Sequence, residues 1–182
     1  MRHKFVPVLL TAIAILTAMP VKAESTDENT PRLNFACELN KNVYHTVANS
    51  TANNARVPIF QWQPEVLVQT NATPKELCDR VTQKLVDFSA KHDLSSVNFI
   101  GTSVNGLPAI CASSSGRDCD EVLFELRPTR EDDSVVANRV INSILAQNLQ
   151  PENSEFRTRG VQSFAYQVDF WSLLGLKFFL KH

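Results

Sequence analysis

Residues 97–113 read VNFIGTSVNGLPAICAS. Asn105-Gly106 lies between two β-rich runs, and a two-residue hairpin turn requires positive φ at both central positions, which Asn-Gly tolerates best. With the turn placed there, Val104 faces Leu107, Thr102 faces Ala109 and Ile100 faces Cys111, so Cys111 shares the core face with Ile100. Ser113–Gly116 follows as a small-residue turn, and Val122-Leu123-Phe124-Glu125-Leu126 as a further strand that Arg127-Pro128 ends. A turn centred on Ser115 sets Cys111 and Cys119 opposite each other on neighbouring strands, where a bridge is natural.

Upstream, Thr73-Pro74-Lys75-Glu76 opens a helix. Thr caps it, Pro suits its first position and Glu reaches back to the cap. Leu77, Cys78, Val81, Leu85 and Phe88 form one apolar stripe that ends by His92 or Asp93. Before it, Val57–Trp62 reads as a strand that lies at a sheet edge or starts just there, because Pro58 cannot donate to a ladder. Leu33–Val47 reads as a first strand or hairpin, and Asn49–Asn54 as a loop. Downstream, Asp133 or Ser134 caps a second helix whose Val136, Val140, Ile144 and Leu145 share a face until Asn148. The expected fold class is α+β, with an antiparallel sheet of about five strands covered by helices over 74–92 and 133–148 and stapled by disulfides.

The ends of the chain have a different character. Arg2 and Lys4, an uncharged run from Phe5 to Met19, and small residues at Val21-Lys22-Ala23 read as a signal peptide over 1–23, cleaved after Ala23. The run is shorter than the ~20 residues a spanning helix needs, and Pro7 interrupts it. Residues 24–32 read as a flexible lead-in, 33–150 as the domain, 151–163 as a polar connector and 164–182 as an apolar C-terminal segment. From Phe170 to Leu180 that segment reaches about 16 Å as a helix, against roughly 30 Å of hydrocarbon, so it cannot span. It either packs on the sheet or lies in a membrane interface with Trp171, Lys177 and Lys181 at the headgroups.

Cys37, Cys78, Cys111 and Cys119 all lie beyond the signal. An even number in an exported chain favours two disulfides, and no CxxC knuckle or nearby His completes a zinc pattern. If Cys111 pairs with Cys119, then Cys37 pairs with Cys78, although four cysteines permit three connectivities. Removing Arg2, Lys4 and Lys22 from 18 basic residues leaves 15 against 19 acidic ones, a formal charge of −4. Mild acidity argues against a nucleic-acid partner.

Signals for chemistry are sparse. Gly101–Gly106 has the look of a nucleophile elbow but is one residue too long and sits in a hairpin. Beyond the signal the histidines are His45, His92 and His182, of which His45 and His92 read as surface residues. Asp118, Asp120 and Glu121 form a weak candidate cation site of oxygen ligands. Glu131, Asp132 and Asp133 read more simply as a helix N-terminus. Asn49-Ser50-Thr51 and Asn71-Ala72-Thr73 match the glycosylation acceptor pattern, which would carry little meaning were the chain bacterial.

The ordered string Phe35-x-Cys37, Val57-Pro58-Ile59-x-x-Trp62, Thr73-Pro74 with Cys78, Asn105-Gly106-x-Pro108-x-Ile110-Cys111, Cys119 and Leu123-Phe124-x-Leu126-x-Pro128 resembles the cyanobacterial circadian oscillating protein (COP) domain family. The resemblance runs from Leu33 to Gln147 and leaves the apolar segment after Ser163 outside. It implies a small exported protein, of a family named for rhythmic abundance, without an established catalytic activity, and no catalytic residue is carried over.

The functional expectation is a non-catalytic extracytoplasmic domain, in the periplasm, cell envelope or medium, with no cofactor. It meets a partner protein or a membrane surface through Phe170, Trp171, Leu174, Phe178 and Phe179. The rival expectation is a small hydrolase or cation-dependent enzyme with a site near the 101–121 hairpin and loop, where Asp118, Asp120 and His45 would have to share a concave pocket.

Overall fold

The computed structural model describes residues 33–149 and 165–176. The signal segment with its cleavage after Ala23, the lead-in, the 151–163 connector, Phe164, Phe178 and Phe179 lie outside the described residues.

The architecture is α+β, but seven strands form two antiparallel sheets in place of one sheet of about five. The first sheet has the order β1-β2-β3, from Leu33–Asn40, Val43–Ser50 and Arg56–Trp62. Its first turn is Lys41-Asn42, with φ of 47° and 66°, so the 33–50 stretch is a complete hairpin. β3 lies at the edge, as Pro58 requires. The sheet ends there because the chain leaving the second helix occupies that edge: Ala146 N–H donates to the Ile59 carbonyl at 2.8 Å, and Leu145 bridges Phe60.

The second sheet has the order β6-β5-β4-β7. β4 (Val97–Val104) and β5 (Leu107–Ser113) form the Asn-Gly hairpin, with Ile100 facing Cys111. Asn105 and Gly106 take φ of 53° and 76°, the conformation that makes Asn-Gly favourable here. β6 is Glu121–Glu125, and Cys111 faces Val122 on it. Cys119 therefore lies in the loop before β6 and not on a strand.

Helix α1 (Pro74–Ser89) carries the complete capping box between Thr73 and Glu76 and buries Leu77, Cys78, Val81, Leu85 and Phe88. It stops three residues before the expected His92. Helix α2 (Asp133–Ile144) is capped by Asp132, one residue earlier than expected. It stops at Ile144 because Leu145 turns extended, with ψ of 132°, to reach Phe60.

Both disulfides are present, Cys37–Cys78 joining β1 to α1 and Cys111–Cys119 closing the loop after β5. Their sequence separations are 41 and 8. Chain entropy then assigns about 4 kcal/mol to the first and about 2.5 kcal/mol to the second.

The described part of the apolar C-terminal segment packs on the sheet, the first of the two readings. Ala165–Val168 is β7, paired with β4, and Phe170–Leu173 is a one-turn helix, α3. Phe170 is 0% exposed and Leu174 2%, so neither can act as a surface contact. They are buried because Phe170 fits edge-on between Phe35 and Phe99, with ring centroids 5.4 and 6.5 Å away. Of the expected contact residues within the described chain, only Trp171 is half-exposed. Among the described residues no helix is long and apolar enough to cross a membrane.

Phe170→Ala should cost about 3–5 kcal/mol, the usual loss for a fully buried aromatic, and Trp171→Ala well under half of that. Urea denaturation of the two variants checks it, and equal losses would show that α3 is held by its outer face.

Candidate functional site

The carboxylates expected to gather near the Gly116–Glu121 loop are spent on local structure. Asp120 accepts from the Ser114 N–H at 2.7 Å and the Ser114 hydroxyl at 2.6 Å. Glu121 pairs with Lys84 of α1, while Asp118 is exposed and its N–H donates to Ser115 Oγ. Among the described residues no group of three or more His, Cys, Asp or Glu is placed to hold a metal ion. Asp118, Asp120 and Glu121 therefore do not form the cation site considered from sequence.

Ser103, the serine of the Gly101–Gly106 stretch, donates to Asp133 Oδ2 at 2.6 Å and so ties the hairpin to the start of α2. Gly101 has a packing role. A Cβ there would sit 2.6 Å from the Asn138 amide nitrogen and 2.7 Å from the Ala137 carbonyl carbon, so only glycine lets α2 lie this close to β4. His45 lies on β2 opposite Glu38, in the other sheet.

Two cavities lie near the two ends of α1, whose 16 residues span about 24 Å. The one near its C-terminal end encloses ≈ 290 Å³ and is lined by Leu33, Ser89, His92, Asp93, Leu94 and Trp171. Ser89, His92 and Asp93 are of catalytic types, yet no hydrogen bond joins them. Ser89 donates to the Val86 carbonyl, His92 stacks on Phe88 at 4.3 Å, and Asp93 accepts from Ser95 and from Trp171 Nε1.

The second is a cleft of ≈ 330 Å³ near the N-terminal end. One wall is Thr70, Asn71 and Ala72, with Leu77 and Arg80 from α1. The other is Leu107 at the start of β5, with Glu125, Leu126, Arg127 and Pro128 at the end of β6. Arg127 is fixed across the cleft: its N–H donates to the Gln69 carbonyl and its Nε to Asn71 Oδ1, both at 2.8 Å. Arg80 stands beside the buried stripe of α1, with Leu77 and Val81 on its inner side. Neither guanidinium is among the ion pairs of the described residues, although Glu76, one turn before Arg80 on α1, feels its charge. Asp118, Asp120 and His45 line neither cavity.

A family model described as circadian oscillating protein COP23 matches residues 34–174. The chain belongs to the circadian oscillating protein COP23 family. The match ends at Leu174, so the shared stretch takes in β7 and α3, and the limit expected at Gln147 is corrected. No curated protein and no solved structure matches the chain.

Arg80 and Arg127 of this family member were not singled out by sequence. Arg127 reads there as half of a strand-ending Arg-Pro, and Arg80 falls outside the apolar stripe of its helix. Each does stand at the border of an apolar run, but nothing local says that the two borders meet.

Acid sensitivity is distributed over the surface. Hydrogen bonds hold several carboxyls below their usual range: Thr73 does so for Glu76, Ser95 for Asp93, Ser114 for Asp120, Arg139 for Glu131 and Ser134 for Asp132. Partial burial lowers His45 against the opposing pull of Glu38. A depressed folded-state pKa contributes stability that is complete above the unfolded value and is lost as pH falls through the folded one. The His45 share is thus lost first, below its ordinary 6.5, and the carboxyl share below 3.8 to 4.5. Urea midpoints measured against pH should decline in two stages, and His45→Gln should flatten only the stage between neutrality and about pH 5.

Proposed function

We propose that this member of the family is an exported, non-catalytic binding domain that meets its ligand at the Arg80/Arg127 cleft. The observation that carries the proposal is that two arginines outside the ion pairs of the described residues line one concave, partly apolar cleft, while Asp118, Asp120 and His45 line neither that cleft nor the cavity at the other end of α1. Positive charge held beside apolar walls fits recognition of a ligand, with the polar groups fixing its orientation.

Export is supported by the signal-like first 23 residues and by the two disulfides, which persist in oxidising compartments. The proposed location is the periplasm or cell envelope of a cyanobacterium, with the chain beginning at Glu24. Contact with a membrane or partner through the C-terminal segment would fall to Trp171 and to residues outside the described ones, since Phe170 and Leu174 are core. The enzymatic alternative, a hydrolase or cation-dependent enzyme near 101–121, gains nothing from the placement of Asp118, Asp120 and His45.

The test has two readouts on tagged full-length protein recovered from its own cells. Non-reducing intact mass should give a chain from Glu24 with no alkylatable thiol. A panel of small anions should contain compounds that raise its melting temperature and are recovered chemically unchanged. Four free thiols would remove the export reading, and turnover of a stabilising compound would make the domain an enzyme.

A further inference from the structure

The geometry points to a narrower ligand class for the cleft: a small monocarboxylate with an apolar body. This inference rests on the reading of the cleft as the binding site.

Arg80 and Arg127 place two guanidiniums at the cleft, and the planar fork of a guanidinium matches a carboxylate with two parallel hydrogen bonds. Arg127 enters already oriented, because Asn71 takes its Nε and leaves the two Nη nitrogens for a ligand. A group fixed before binding loses less freedom on binding.

Glu125 lines the same cleft. It opposes a second negative charge, so a phosphate dianion is disfavoured where a monoanion is accepted. The side chains that line the cleft thereby sum to one positive unit, matched by one carboxylate, with Glu76 outside the lining coupled to Arg80.

The rest of the wall decides the body of the ligand. Leu107, Ala72 and Pro128, over a floor of buried Leu77 and Leu126, give the cleft apolar surface that a bare inorganic anion would leave wet. A short aliphatic or aromatic chain attached to the carboxylate covers it. At ≈ 330 Å³ the cleft stands at the lower end of the size range of small-molecule sites, about 300–1,000 Å³, which favours a compact ligand.

The experiment uses the disulfide-intact protein and four probes: hexanoate, hexanamide, hexylamine and inorganic phosphate. Hexanoate should shift the methyl NMR signals of Leu77, Leu107 and Leu126 saturably, with a Kd on the order of 1 mM, as suits so few atoms. Arg80→Gln, which leaves the Arg127–Asn71 bond in place, should weaken it about tenfold, the usual loss for one charge-assisted hydrogen bond. Arg80→Gln/Arg127→Gln should abolish it with the fold retained by NMR dispersion, and Arg80→Lys should recover part of the Arg80→Gln loss. Hexanamide or hexylamine binding as well as hexanoate would overturn the carboxylate assignment. Phosphate binding in the cleft where hexanoate does not would overturn the ligand class and keep the cleft as the site. Absence of any cleft response to all four probes would overturn both.

Discussion

The fold depends on an aromatic seam that locks two separate sheets together. Phe60 of β3 meets Phe99 of β4 at 4.9 Å, Trp62 meets Phe124 of β6 at 5.6 Å, and Phe35 of β1 meets Phe170 at 5.4 Å. Each pair has one ring on the first sheet and one on the second sheet or on the short helix beside it. Edge-on packing of this kind adds about 0.5–1.5 kcal/mol per pair beyond the area buried. The single polar atom of Trp62 is provided for: its Nε1 donates to the buried Thr46 hydroxyl at 3.0 Å, so burial leaves no orphaned donor.

Because the sheets meet through side chains and not through a shared ladder, other elements must fix their relative position. Helix α1 is tied to the first sheet by Cys37–Cys78 and to the second by Lys84–Glu121. Helix α2 lies on β4 at glycine distance, and the chain after it closes the edge of β3. At the far end, Asn53 of the β2–β3 loop donates to the Leu174 carbonyl at 2.7 Å, tying the C-terminal segment to the first sheet. The cleft with Arg80 and Arg127 follows from the same arrangement, as the gap left where the start of α1 meets the ends of the second sheet.

Local signals in the chain were legible where a backbone conformation has few substitutes. The Thr73–Glu76 box, the Asn105-Gly106 turn and the apolar stripe of α1 occur where expected. The Lys41-Asn42 turn was not legible, because Lys is a poor marker of φ 47° and takes it only under the pull of the strands on either side. The short strand Ala165–Val168 has too little alternation to announce itself, and its partner β4 is far away in sequence.

Local pattern was enough for the fold class, the helices, the central hairpin and the cysteine pairing favoured from that hairpin, since each rests on contacts among residues near one another in the chain or on a short list of combinations. Long-range packing set the division into two sheets, the burial of Phe170 and Leu174, and the meeting of Arg80 and Arg127 at one cleft. Those outcomes depend on which distant surfaces are buried against each other, and hydrophobic burial, being non-directional, does not write its partner into the local pattern.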